Sequence, residues 1–193
     1  MGSTEYQQLP EGLRIFGASD YATKDGEGDW TVHGVAGLDD DDNLYILDWW
    51  RQQSTPEVWI DVFCDLILKW APEDWAEERG PILSSLDTFI QLRCKERRAY
   101  TNRVGYASTS SKRSRAQAIR GRLSQGKVFF PSRAPWLDDL ILELMGFDSG
   151  ADDQVDVLSL LGVHLVKMQP AGHLRNFSAA RHIRKTEKRL DGE

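Results

Sequence analysis

Three groups of acidic residues lie far apart in the chain: Asp20, the pair Glu77 and Glu78, and the cluster Asp152, Asp153 and Asp156. Each falls where a run of regular structure is expected to begin or end. Carboxylates brought together from separate elements are the oxygen donors that hard divalent cations such as Mg2+ or Mn2+ require. Two such ions about 3.5–4 Å apart can clamp a phosphodiester, one activating the attacking water and the other stabilising the leaving oxygen. On a helix, Asp152 and Asp156 are four residues apart and Asp153 and Asp156 three, so one face can offer two of these acids. Each group also has a plainer reading. Asp152 and Asp153 suit a helix N-terminus, Asp20 can be a turn residue, and Glu77 and Glu78 can be a solvated pair. The elements that carry them must decide.

Residues 13–19 form a short apolar run that leads into Asp20 as a buried strand would. Residues 30–38 read as a second strand. The acidic run Asp39 to Asp42, with Asn43, reads as a hairpin turn into a third strand over 44–50. From Pro56 the spacing of Val58, Ile60, Val62, Phe63, Leu66, Ile67 and Trp70 predicts a helix closed by Pro72. Residues 71–78 then read as a fourth strand ending in Glu77 and Glu78, and Gly80 with Pro81 opens a helix through Ile82, Leu86, Ile90 and Cys94. Residues 97–111 are polar and basic, 114–124 is a basic helix, and 127–130 a short strand ended by Pro131. Amphipathic helices follow over 136–145 and 152–166. Three strands, helix, strand, helix, a basic region with a short strand, then helices: this order predicts an α/β fold, a ribonuclease H-like mixed sheet flanked by helices. In such a sheet the ends of strands one and four and the start of the late helix meet at one end.

The 193 residues fit one domain. The expected division is an N-terminal extension over 1–12, the domain over 13–166 with a basic insertion at 93–133, and a polar tail over 167–193. The longest apolar stretch, Val62 to Ile67, is interrupted by Asp65 and too short to span a bilayer. The opening residues lack a secretory pattern, so no membrane is expected and the expected location is cytoplasmic. Cys64 and Cys94 suggest neither a disulfide framework nor a zinc site, and His33, His164, His173 and His182 show no metal-ligand spacing. The net charge of -6 conceals a segregation: 19 acids and 5 bases over 1–92, 1 acid and 12 bases over 93–133, 10 acids and 7 bases over 134–193. The middle block argues for the phosphate backbone of double-stranded DNA, with Lys112, Arg113, Arg115, Arg120, Arg122 and Lys127 as candidates. The alternative is a solvated face, some of whose members pair with Asp138, Asp139 or Glu143. Gly121 to Val128 approaches a Walker A loop but runs from helix to strand and puts Val128 where a hydroxyl is needed, so it reads as a decoy. Trp49 and Trp50 read as packing under a helix in preference to stacking a base.

Taken in order, GASDYA (17–22), GDWTVHGVAGLD (28–39), LYILDWWR (44–51), WAEERGPI (75–82), RAQAIRGRLSQGKVFFP (115–131), LILELMGFD (140–148) and ADDQVD (151–156) resemble the nuclease domain of the large terminase subunit of tailed bacteriophages. The resemblance spans roughly 13–166. It implies a metal-dependent DNA endonuclease that cuts concatemeric DNA by two-metal-ion phosphodiester hydrolysis, with Mg2+ or Mn2+, in the host cell cytoplasm. By position, Asp20 is the acid after the first strand, Glu78 that of the E-x-G-x-I pattern with Glu77 as fallback, and Asp152 and Asp153 the paired acids of the last helix. Asp29 becomes an auxiliary ligand. The family also implies an ATPase motor domain, a small terminase subunit and a portal as partners. No Walker A or B segment precedes residue 13, so the expectation is a nuclease without its motor, and Ala151 stands where many relatives have His. The competing expectation is a non-catalytic DNA-binding or docking module of the packaging complex.

Overall fold

The computed structural model describes residues 4–22, 30–107, 112–146 and 152–168. The chain divides into two units at Val163 and His164, and of the second only residues 164–168 are described. Asp29, Ala151, His173, His182 and the polar tail from 169 lie outside the described residues.

Strands β1 (Glu5–Tyr6), β2 (Arg14–Asp20), β3 (Thr31–Leu38), β4 (Leu44–Gln52), β5 (Asp74–Arg79), β6 (Asn102–Ala107) and β7 (Val128–Pro131) form one mixed sheet in the order β1-β7-β4-β3-β2-β5-β6. The helices are α1 (Pro56–Trp70), α2 (Pro81–Arg97), α3 (Lys112–Arg115), α4 (Gln117–Ser124), α5 (Leu137–Met145) and α6 (Asp153–Met168). This is the expected α/β architecture.

The first three long strands are an antiparallel meander. Its acidic turn works because one carboxylate, Asp39, accepts from the backbone N–H of Asp41 (3.0 Å) and Asn43 (2.8 Å) and from the Asn43 amide (2.9 Å), while Asp42 takes φ 65°. Side chains of Asx type close turns in this way. Helix α1 starts on Pro56, whose missing N–H costs nothing there, and stops at Ala71, which is left-handed and donates to the Ile67 carbonyl (2.8 Å). The chain thereby returns to lay β5 parallel to β2, and β6 parallel to β5.

Period-two alternation gives the sheet two faces. On one, Val35, Trp75 and their neighbours pack under α1 and α2 with Trp59, Ile60, Phe63, Ile67 and Ile90. On the other, Trp49 donates from its indole to Gln154 of α6 (2.9 Å). Two glycines make room for these rings: a Cβ at Gly17 would lie 2.1 Å from the Trp75 ring, and one at Gly34 would lie 2.3 Å from Trp49. Trp49 and Trp50 are both packing residues, the latter stacked on His33.

Four features differ from the sequence reading. Strand β6 lies in the stretch read only as polar and basic; it is an edge strand whose side chains are all at least partly exposed, so it has no apolar alternation to detect. Residues of the expected N-terminal extension join the sheet as β1, parallel to β7, with the Tyr6 hydroxyl donating to the Ile46 carbonyl (2.6 Å). Residues 93–133 supply the end of α2, β6, α3, α4 and β7, so the basic block is woven into the sheet and its cover. The basic helix is broken at Ala116 into α3 and α4. The Walker-like segment does run from α4 into β7, through Gly126 at φ 66°. Cys64 and Cys94, free thiols from α1 and α2, bring their Sγ atoms to 3.9 Å. Among the described residues no helix is long and apolar enough to cross a membrane.

Candidate active site

Asp20 ends β2, and the residues on either side of it are fixed by buried polar groups. Before it, the Ser19 hydroxyl accepts from the Trp75 indole (2.8 Å) and lies 2.7 Å from His33 Nδ1. The other ring nitrogen, Nε2, is 2.9 Å from the Trp59 carbonyl. A carbonyl only accepts, so Nε2 carries the proton and Nδ1 accepts from Ser19. Burial pushes the His33 pKa down to about 4, the Trp59 bond opposing this only in part, and the ring is neutral near pH 7. After Asp20, the Tyr21 hydroxyl donates to Glu77 Oε1 (2.5 Å). Its pKa is raised well above 10 by burial first and by the Glu77 carboxylate second.

Ser19 pairs in register with Glu77 across the parallel β2–β5 ladder, and with His33 across β3. All three therefore face α1 and α2. Glu77, 2% exposed, accepts from Arg103 Nε at 3.0 Å on both of its oxygens, and Arg103 Nη1 donates to Asp87 at 2.8 Å. Burial opposes the Arg103 charge, but Glu77, then Tyr21 and Asp87, outweigh it and raise its pKa. Asp20 and Glu78 are each one residue further along. They stand side by side at the carboxyl ends of two parallel strands, and alternation directs both to the opposite face, that of Trp49 and α6.

Helix α6 is set on that face by a carboxylate from α5. Buried Glu143 accepts from the backbone N–H of Gln154 (2.6 Å) and Val155 (3.3 Å) and from the Gln154 amide (2.8 Å). This satisfies N–H groups that have no partner inside a first helical turn. Arg51, stacked on Trp30 with 4.2 Å to the ring centroid, reaches Glu143 at 3.8 Å. Asp152 lies just before the helix, and its carbonyl takes the Asp156 N–H (2.8 Å).

Arg115, the last residue of α3, joins the two acidic elements. Its Nη2 is 3.6 Å from Glu78 Oε2 and 3.4 Å from Asp156 Oδ1. Register and alternation set Asp20 beside Glu78, and Arg115 links Glu78 to Asp156, with Asp152 and Asp153 at the start of the same helix. Among the described residues, no three His, Cys, Asp or Glu side chains are close enough together to hold a metal ion as they stand; a guanidinium lies between two of the acids.

Glu77, the fallback ligand, points into the α1–α2 face and is bound to Arg103 and Tyr21. Of the basic candidates, Arg113 and Arg120 are exposed. Arg122 is buried and donates to the Asp42 carbonyl and carboxylate, both at 2.8 Å, while Lys127 donates to the Asp41 carbonyl (2.7 Å). These two clasp the β3–β4 turn. Arg115 pairs with the site acids Glu78 and Asp156. Glu143, Arg103 and Ser19 escaped the sequence reading. Arg122 had a signal: it follows buried Ile119 by three residues on α4 and so shares its inward face.

The fold is that of the nuclease domains of phage large terminases, a ribonuclease H-like arrangement. The large terminase nuclease from thermophilic phage G20c with bound magnesium superposes with a TM-score of 0.60, covering 81% of this chain and 84% of its own at 15% identity. The large terminase from a second thermophilic bacteriophage gives 0.57 at 12% identity, covering 83% of this chain and 42% of that longer protein. The fowlpox virus Holliday junction resolvase gives 0.50 at 12% identity, covering 80% of this chain and 99% of its own. No family model and no curated protein matches the chain in sequence.

Proposed function

We propose that the chain is a divalent-metal-dependent endodeoxyribonuclease of the phage terminase kind, cutting concatemeric double-stranded DNA during packaging. The observation that carries this is the Ser19–Glu77 register of two parallel strands, which sets Asp20 and Glu78 one residue further along each, with Arg115 tying Glu78 to Asp156 of α6. The donor set fits Mg2+ or Mn2+: every candidate is a hard carboxylate, and the cluster already accommodates a cation in the form of Arg115. Asp20, Glu78 and Asp156, with Asp152 or Asp153, would hold two ions, and Asp29 is an auxiliary candidate. Bound there, the ions supply Lewis acidity for phosphodiester hydrolysis.

The chain's own residues do the positioning. Ser19 and Tyr21 fix the strand end that presents Asp20, and Glu143 fixes the helix end that presents Asp152, Asp153 and Asp156. Arg113 and Arg120, with Lys112, meet the phosphate backbone, which carries no sequence information and suits a nuclease that must cut many sequences. The expected partners are double-stranded DNA and, by likeness to the terminase nucleases, an ATPase motor domain, a small terminase subunit and a portal.

The test is cleavage of supercoiled plasmid with Mn2+. Wild type should nick and linearise it, and Asp20→Asn and Glu78→Gln should lose cutting while keeping the native circular dichroism spectrum. DNA binding without any cutting by wild type would overturn the nuclease reading in favour of a docking module.

A further inference from the structure

We propose that Arg115 is the internal counter-ion of the acidic site: it holds Glu78 and Asp156 together in the metal-free protein and competes with a divalent cation for those same carboxylates. This rests on the reading of the site as metal-binding.

The contrast between two neighbouring glutamates carries the argument. Glu77 is 2% exposed, and both of its oxygens accept from the one Arg103 Nε at 3.0 Å, a close pair whose separation strands a buried charge. Glu78 is 36% exposed, and its contact with Arg115 is longer. One nitrogen straddles Glu78 and Asp156 at 3.6 and 3.4 Å, well beyond the roughly 2.7–2.9 Å of a strong charge-assisted bond. That nitrogen therefore serves two carboxylates from two elements, each at long range.

Its location suits such a role. The residue after it, Ala116, is 1% exposed, so the backbone that carries Arg115 is held in the fold. A guanidinium spreads one positive charge over a plane, whereas a divalent ion concentrates two at a point and takes oxygens at about 2.0–2.6 Å. For the same pair of carboxylates the divalent ion wins, but only after displacing the arginine. By linkage, whatever Arg115 contributes to the stability of the metal-free protein is subtracted from the metal's apparent affinity.

The experiment is Mn2+ titration by calorimetry and by electron paramagnetic resonance, with melting temperatures recorded with and without Mn2+. It uses wild type, Arg115→Ala, Arg115→Gln and Arg93→Ala. Arg93 pairs with Asp61 and Glu96 on the α1–α2 surface and controls for removal of any positive charge. Arg115→Ala and Arg115→Gln should bind Mn2+ on the order of tenfold more tightly than wild type, melt lower without metal, and gain more on its addition. Arg93→Ala should keep the wild-type Kd. If Arg115→Ala does not fold, Arg115→Gln, which keeps a polar side chain but no charge, decides alone. Unchanged or weaker Mn2+ affinity in the Arg115 variants would overturn the counter-ion role while leaving the metal site standing. Failure of every protein, wild type included, to bind Mn2+ would overturn both.

Discussion

Replacing Glu77 and Glu78 in turn by Ala should produce two different failures from adjacent positions. Glu77→Ala leaves the Arg103 guanidinium, 18% exposed, facing no acid but Asp87, and takes the acceptor from the buried Tyr21 hydroxyl. Breaking a buried ion pair from one side costs about 3–5 kcal/mol, and an orphaned buried hydroxyl about 1–3 kcal/mol more where it finds no water. For a chain of this size each kcal/mol lowers Tm by roughly 2–4 °C, so the loss should exceed about 6 °C and shift the urea midpoint to match. Glu78→Ala removes a partly exposed carboxylate whose pairing with Arg115 is long, for which a change within about 1 kcal/mol is expected. Mn2+-dependent plasmid cutting should reverse the ranking: abolished in Glu78→Ala, and present in the folded fraction of Glu77→Ala assayed at low temperature. A Glu77→Ala protein as stable as wild type, or a Glu78→Ala protein that cuts normally, would refute the assignment of the two glutamates to opposite faces.

Protonation of His33 is disfavoured in the folded state, whose pKa of about 4 lies below the ordinary 6.5, so the unfolded chain takes up the proton first. Stability from this residue is then flat above about pH 6.5 and falls by up to about 1.4 kcal/mol per pH unit as pH drops toward 4; chemical denaturation of wild type and His33→Asn across that window should show the slope only in wild type. Gly17→Ala and Gly34→Ala should each destabilise by at least about 1–3 kcal/mol, since the new methyl meets a buried indole that has nowhere to go; thermal melts check this. Arg113→Ala combined with Arg120→Ala should lower the slope of log DNA affinity against log salt by about two, whereas Arg122→Ala should lower Tm by freeing the β3–β4 turn and leave the slope unchanged; a lowered slope in Arg122→Ala would assign it to the DNA-facing set.

What could be read from the sequence followed the local physics. Strands β2 to β4 and helix α1 lie within about two residues of their expected limits, because apolar runs, the Asp39 turn and Pro56 with Pro72 are local signals. Strand β6 was hidden because an edge strand need not alternate, and β1 because a two-residue pairing depends wholly on a partner at the far end of the chain. The acids were legible as residue types. Which of Glu77 and Glu78 faces the site was not, since alternation says only that they face opposite ways and the β2–β5 register decides between them. Basic residues likewise advertise charge but not partner: Arg115 and Arg122 carry the same side chain and ended in unrelated places.

The order in which the chain is made gives the acidic site a history. Asp20 arrives on a meander whose pairings are all local, and Glu78 joins after a single helical return through α1. Contacts close in sequence form early, and distant ones wait on loop closure. Asp156 comes only with α6, and the capping carboxylate Glu143 that seats that helix comes shortly before it. A ribosome therefore releases strands bearing two of the three acids well before the third exists. Along the chain the acidic pocket stays unfinished until the last described helix.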